Sequence, residues 1–249
     1  MINPLEKFNR STLDLNNLEG EVVRYFENDK NQAYVIYACD ARVLYLLARQ
    51  NIHASDAYTR VSKILSDGRP IYWLTTLLFN FKFDQITGPG FMNWVLENEL
   101  LRRKRHMFYG GGAETIKALH NKCIVNNVNV VLAVSPPFLD VDNLDVCYVN
   151  DKIKLLEIDF FWCGLGAPKQ EYLIYQLDQN TRTIMTGVGL AFDYYVGSVK
   201  KPPRILSVMG LEWLVRYGQQ PKRLRRFIRP FFYVLTLLFL NLFNQRNIR

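Results

Sequence analysis

Short apolar runs alternate with longer amphipathic stretches along most of this chain. Tyr34–Tyr37 opens a first strand that ends at Cys39-Asp40, and Ala41–Arg49 reads as a helix. Ile64–Ser66 is a short strand that stops at Asp67-Gly68, and a helix follows Pro70 over Ile71–Phe79. Thr87-Gly88-Pro89-Gly90 reads as a turn ahead of a helix over Phe91–Leu101. His106–Tyr109 and Val128–Val134 are strands, with a helix from Ala113 between them. Ile158–Cys163 is a buried strand rich in β-formers, and Thr183–Val188 is the last strand. A polar N-terminal segment carries one helix over Leu18–Glu27. This alternation predicts an α/β fold, a Rossmann-like and mainly parallel sheet with helices on both faces.

After the last strand the pattern changes. Ile205–Tyr217 reads as a helix, and Pro221 opens another over Lys222–Phe243. The expected division is an α/β core over 1–197 and a basic and apolar helical appendage over 198–249. Charge supports it. From Trp213 to Arg249 there are eight basic residues and no acids, whereas the other 212 residues hold 23 of each sign. The whole net charge of +8 therefore sits in the tail, which needs an anionic partner. Behind the charges runs an uncharged stretch of 16 residues, Pro230–Gln245, short for a membrane span. It reads as an anchor in a membrane interface behind a polybasic segment, or as an ordinary core helix. The aromatics of the tail lie in the apolar stretch rather than between the charges, which argues against nucleic acid. The start of the chain has no signal-peptide core. The four cysteines show no CxxC spacing and read as reduced, as in a cytosol.

The chemistry gathers at strand ends. Glycines Gly164 and Gly166 follow the Ile158–Cys163 strand, and Pro168 suits the first position of a helix. Such a strand, glycine loop and helix N-terminus favours a phosphate, with Lys169, Gln170 and Glu171 in the first helical turn beside it. Gly110 and Gly111 form a second glycine loop, without the GxGxxG order of a dinucleotide site. Asp67 at a strand tip either faces a ligand or serves as a turn or N-cap aspartate. In Ser135-Pro136-Pro137-Phe138 two prolines stiffen a loop, either to hold Phe138 against a flat ligand or as a surface turn. Asp140 and Asp142 form an Asp-x-Asp pair, but in a polar loop rather than after an apolar strand, which speaks against a metal site. His53, His106 and His120 show no ligand spacing.

GLGAPKQE (164–171), VGLAFDYYVG (188–197) and GLEWLVRYGQQPKRLRR (210–226) resemble signature blocks of the WecG/TagA/CpsF family of bacterial glycosyltransferases. SDGRPIYW (66–73), TGPG (87–90), FYGGG (108–112) and SPPF (135–138) fall in the matching order. The resemblance implies an inverting enzyme that moves a sugar from a UDP-sugar to a polyprenyl-diphosphate-linked saccharide. It implies work at the cytoplasmic face of the bacterial inner membrane, peripherally bound, in teichoic acid, common antigen, capsule or exopolysaccharide synthesis. It implies no cofactor and no metal. By the same resemblance Asp67 is the catalytic aspartate and Gln170 lies at the active site. Asp193 lies near the nucleotide, and Arg216, Arg223 and Arg226 meet the acceptor diphosphate. The remaining contacts expected to the nucleotide-sugar are Asp40, Gly110, Gly111, Phe138, Gly164, Gly166 and Lys169. Three positions depart from the family pattern. Ala38-Cys39-Asp40 replaces Thr-x-Asn, Gln85 replaces an arginine, and Gly90 replaces an aspartate.

The expected mechanism is one inverting displacement. Asp67 takes the proton of an acceptor hydroxyl, which attacks the anomeric carbon opposite UDP. Backbone N–H groups around Gly164–Lys169 and basic side chains stabilise the leaving diphosphate. The alternative class is a non-catalytic nucleotide- or phospholipid-binding module that keeps the fold, with the altered Ala38-Cys39-Asp40 loop in its favour. The sequence leaves homo-oligomerisation open.

Overall fold

Each strand is built on a short stretch of mostly large apolar residues, and their alternation sends side chains to two opposite faces. The computed structural model describes residues 15–28, 31–79, 85–200, 203, 205, 206, 209 and 225–246. Six parallel strands form one sheet: β1 (Tyr34–Cys39), β2 (Lys63–Ser66), β3 (His106–Gly110), β4 (Val130–Val134), β5 (Phe160–Gly164) and β6 (Ile184–Gly187). Their spatial order is β2-β1-β6-β5-β3-β4, and all five pairings are parallel. The expected α/β class, with a parallel sheet and helices on both faces, is what the chain adopts.

Val35, Tyr37, Cys39, Ile64, Met107, Tyr109, Phe161, Cys163 and Met185 point to one face. That face is covered by α2 (Ala41–Ala48), α3 (Ile52–Ala57), α4 (Arg69–Phe79), α7 (Val146–Leu155), α8 (Lys169–Gln176) and α10 (Arg225–Arg246). Ile36, Leu65, Phe108, Phe160, Trp162 and Ile184 point to the other, under α1 (Leu15–Glu27), α5 (Gly88–Glu97), α6 (Ala113–Val125) and α9 (Ala191–Val196). On this second face Trp162 Nε1 donates to His106 Nδ1 at 3.0 Å. The other ring nitrogen of His106 therefore carries the hydrogen it gives to the Leu101 carbonyl. Burial lowers the His106 pKa to about 4, so the ring is neutral core material.

Three helices exceed the sequence reading, and one of them is α9, where a small loop closed by Gly197 was expected. Helix α3 has only six residues, set by Asn51 capping the Ala54 N–H at 3.1 Å. Helix α7 buries just Val149 and Ile153, and its polar remainder hides the pattern. The Thr87–Gly90 block, expected as a turn, is instead the start of α5. Thr87 Oγ1 accepts from Gly90 N–H at 3.0 Å, and Pro89 is tolerated in a first turn, where the N–H it lacks would have no helical partner.

The C-terminal helix α10 is the largest departure. One side of it is an ordinary core helix lying across α2 and α4. Val234 is fully buried, and Tyr233, Leu237 and Leu238 pack beside it. The opposite side leaves Phe232, Phe239 and Leu240 more than half exposed, with Arg229 near its start also exposed. The core-helix reading holds for one side of this stretch, and the other side is exposed apolar surface. Among the described residues no helix is long and apolar enough to cross a membrane. Of the expected helix Ile205–Tyr217, only Ile205, Leu206 and Met209 belong to the described residues.

Candidate active site

Because all strands run the same way, their carboxyl ends share one edge, where open α/β sheets bind ligands. Asp40 follows β1, Asp67 follows β2, Gly110 ends β3, Ser135 follows β4, Gly164 ends β5 and Gly187 ends β6. The sheet order sets Asp67 at one side of this edge and the Gly110 and Ser135 loops at the other, with the β6 and β5 loops between.

Asp67 is half-buried, and its N–H donates to the Cys39 carbonyl at 3.1 Å, which ties the tip of β2 to the tip of β1. The Gly68 carbonyl accepts from Tyr72 N–H at 3.2 Å, so Gly68 rather than Asp67 holds the N-cap place of α4. Asp40 does act as a cap. Its Oδ1 accepts from Val43 N–H at 2.9 Å at the start of α2.

Gln170 is the centre of the β5 and β6 loops. It is 4% exposed, and its Oε1 accepts from Gly166 N–H at 3.1 Å and from Gly189 N–H at 2.9 Å. Its Nε2 donates to Glu171 Oε1 at 2.8 Å. Gly187 leaves room for it, since a Cβ there would lie 2.8 Å from Gln170 Nε2. Gln170 therefore joins two loops at the floor of the edge, and the Gly166 N–H is spent on it. Pro168 sits at the N-cap, one residue before the place expected, and α8 begins at Lys169.

Glu171 does not stand beside the glycine loop, as its place in the first turn of α8 suggested. It is 1% exposed, beneath that loop, with Oε2 unpartnered among the described residues. Its backbone carbonyl accepts from the Tyr37 hydroxyl at 3.1 Å. Burial pushes its pKa up to about 7, with the Asp40 charge adding to the rise and the Gln170 hydrogen bond opposing it. Burial likewise holds Tyr37, Cys39, Tyr58 and Cys163 well above their ordinary values, so these neighbours stay neutral.

The far side of the edge is braced in the same manner. Lys169 Nζ stands 4.0 Å from the Phe138 ring centroid and donates to the Leu139 carbonyl. Phe138 is 90% exposed, so its ring rests on Lys169 and offers much of its surface to solvent. Gly110 has no room for a side chain, because a Cβ would lie 2.6 Å from the Gly164 carbonyl carbon. Gly111 takes a hydrogen bond on its carbonyl from Ser135 Oγ at 2.8 Å. Asp193 Oδ1 accepts from Thr115 Oγ1 at 3.0 Å and Ser198 Oγ at 3.2 Å, linking α9 to α6.

The sequence residues thus divide. Asp40, Asp67, Gly164, Gly166 and Gln170 come together on one sheet edge, and Phe138 with Lys169 stands at its far side. Arg216 and Arg223 lie outside the described residues. Arg226 is in the first turn of α10, and its side chain lies outside them. Gly187, Gly189 and the inward Glu171 were not singled out as site residues. The one sequence signal for them is a glycine ending an apolar strand, Gly187, opposite a polar pair. Asp140 precedes a single 3-10 turn that contains Asp142, and no cluster of three or more metal-ligating groups occurs among the described residues.

Residues 6–248 match the model of the Glycosyl transferase WecG/TagA/CpsF family. The chain is similar to an N-acetylglucosaminyldiphosphoundecaprenol N-acetyl-beta-D-mannosaminyltransferase of Staphylococcus aureus (strain MW2), with 24% identity over 204 residues. That match spans 81% of this chain and 78% of the relative. An equally named protein of Bacillus spizizenii (strain ATCC 23059 / NRRL B-14472 / W23) is 26% identical over 192 residues, 77% of this chain and 74% of the relative.

Proposed function

Since the chain belongs to the WecG/TagA/CpsF family and is a glycosyltransferase, we infer that it moves a sugar from a UDP-sugar to a polyprenyl-diphosphate-linked saccharide in bacterial cell-surface polysaccharide synthesis. The observation that carries this reading is Asp67. It is a half-buried carboxylate at the tip of β2, pinned through its own N–H to β1, on the edge where the glycine loops converge. A base there takes the proton of the acceptor hydroxyl as that oxygen attacks the anomeric carbon. The carbon–oxygen bond to UDP breaks, and UDP departs from the opposite face. Such a base typically contributes ~10²–10⁴-fold.

Phe138 is the platform for a flat part of the donor, and Lys169 holds that platform from below. Gln170 does not need to touch the reacting atoms in this scheme, because its amide is spent on organising the loops. Arg216, Arg223 and Arg226 meet the acceptor diphosphate. The exposed stripe of Phe232, Phe239 and Leu240, near Arg229, rests in the cytoplasmic leaflet and brings the enzyme to its lipid acceptor. The relatives' acceptor is a diphosphoundecaprenol carrying N-acetylglucosamine, which makes that lipid the first acceptor to try.

The test is a donor screen with UDP-hexoses, UDP-N-acetylhexosamines and UDP-uronic acids on a synthetic lipid-diphosphate saccharide. Transfer from one donor, with inversion at the anomeric carbon, supports the reading. Tight UDP binding with no turnover of any donor supports the non-catalytic module instead, for which the capping role of Asp40 in the altered loop is the favouring observation.

A further inference from the structure

Gln170 can meet its partners in one orientation only. Its oxygen faces two N–H donors, Gly166 and Gly189, and its nitrogen faces a carboxylate oxygen. Turned over, the amide would set N–H groups against two donors and oxygen against oxygen. The backbone donors cannot change, so the group that enforces the orientation from below is Glu171. An ionised carboxylate only accepts, whereas a protonated one can also donate. This carboxylate is buried with one oxygen unpartnered among the described residues, a costly arrangement that a nonpolar residue would avoid.

We propose that Glu171 is a positioning residue for the transfer reaction: its ionised carboxylate holds the Gln170 amide, and the amide in turn holds the β5 and β6 loops in one arrangement around the donor. Protonation weakens that hold, because a neutral acid is a poorer acceptor for the amide N–H than a carboxylate, and the loops that the amide ties relax with it. The groups facing Glu171 leave it as the one that titrates near neutrality. Tyr37 and Cys39 on β1, Tyr58 after α3 and Cys163 on β5 are neutral, while Asp40 and Arg42 act on it as opposing charges. His53 on α3 packs edge-on against Tyr172, one residue along α8, and is the neighbour to control for. The proposal rests on the transfer reading for its consequence, though not for its geometry.

The experiment labels the full chain with [15N]glycine and follows the Gly166 and Gly189 amides from pH 5.5 to 9. Both resonances are expected to shift together with a midpoint of about 7. Glu171→Gln is expected to abolish that titration, and Glu171→Leu to displace both resonances at every pH. In the transfer assay, wild type should lose kcat below the same midpoint while Glu171→Gln shows no such limb. Glu171→Leu should lose at least about tenfold in kcat. Amides that hold still in wild type overturn the proposal, as does a titration that survives in Glu171→Gln. If Glu171→Leu does not fold, the wild-type and Glu171→Gln titrations decide alone. Amides that titrate as expected in a protein that transfers no sugar uphold the positioning role and overturn the transfer reading.

Discussion

Tyr233 of α10 meets Tyr45 of α2 edge-on, with ring centroids 5.7 Å apart and planes at 75°. The tail is thereby built into the core, on the helix that Asp40 caps. Removal of α10 costs the fold as well as any membrane contact. Truncation after Pro230 is expected to lower the thermal midpoint and weaken UDP binding. Val234→Asp, which buries an unpaired charge, should destabilise by about 3 kcal/mol or more. Phe239→Asp on the exposed side should change stability by no more than ~0.5 kcal/mol and still reduce binding to anionic vesicles. Denaturant titration beside vesicle sedimentation separates the two. Equal stability of the Val234 and Phe239 variants would refute the two-sided assignment.

Asp67→Asn removes the base and keeps the shape. Turnover should drop by ~10²–10⁴-fold while UDP binding, measured by calorimetry, stays near wild type. A variant that keeps more than about a tenth of the rate rules out general-base catalysis by Asp67.

Glu171 gives stability an unusual pH dependence. Its pKa is raised on folding from 4.5 to about 7, so between those values the folded chain binds a proton that the unfolded chain has lost. Its contribution is therefore fully present below the lower value, falls as pH rises through the window, and is lost above it. The full swing is on the order of 3 kcal/mol. Glu171→Gln should gain on wild type by up to that amount between pH 5 and pH 8 in urea unfolding. Parallel stability curves for the two proteins would contradict the burial of an ionisable acid.

Phe138 is too exposed to matter much for folding. Phe138→Ala should leave the unfolding midpoint within error, yet weaken donor binding by ~1–3 kcal/mol if a base stacks on the ring. Unaltered UDP affinity would assign the Ser135–Phe138 loop to structure alone.

The sheet was legible because its strands are nearly continuous apolar runs, such as Tyr34–Cys39 and Phe160–Cys163, buried on both faces. Asp67 and the glycine loops were legible because loops at strand ends announce themselves by glycine and by a break in apolarity. The inward turn of Glu171 was not. Neighbouring residues on a helix do not share a side, and an acid in a first turn ordinarily faces solvent and the dipole. Only the wedging of the α8 terminus among β1, β5 and β6 buries both Gln170 and Glu171, and that is a tertiary event. The two sides of α10 were hidden for a related reason. Tyr233 and Phe232 are equally apolar to a reader of the sequence, and the position of α2 decides which is covered.

Helix α10 is also the last described element to be synthesised, and it covers α2 and α4, which are made well before it. Until it emerges, the growing polypeptide lacks the cover that Tyr233, Val234, Leu237 and Leu238 give to that face. Packing of this half of the molecule therefore waits on α10, and a product that stops before it leaves the ribosome with that face uncovered. Arrested nascent chains ending at Pro230 should be cut by protease where chains long enough to bring all of α10 out of the ribosome resist, and equal resistance would show that the face is protected without its helix.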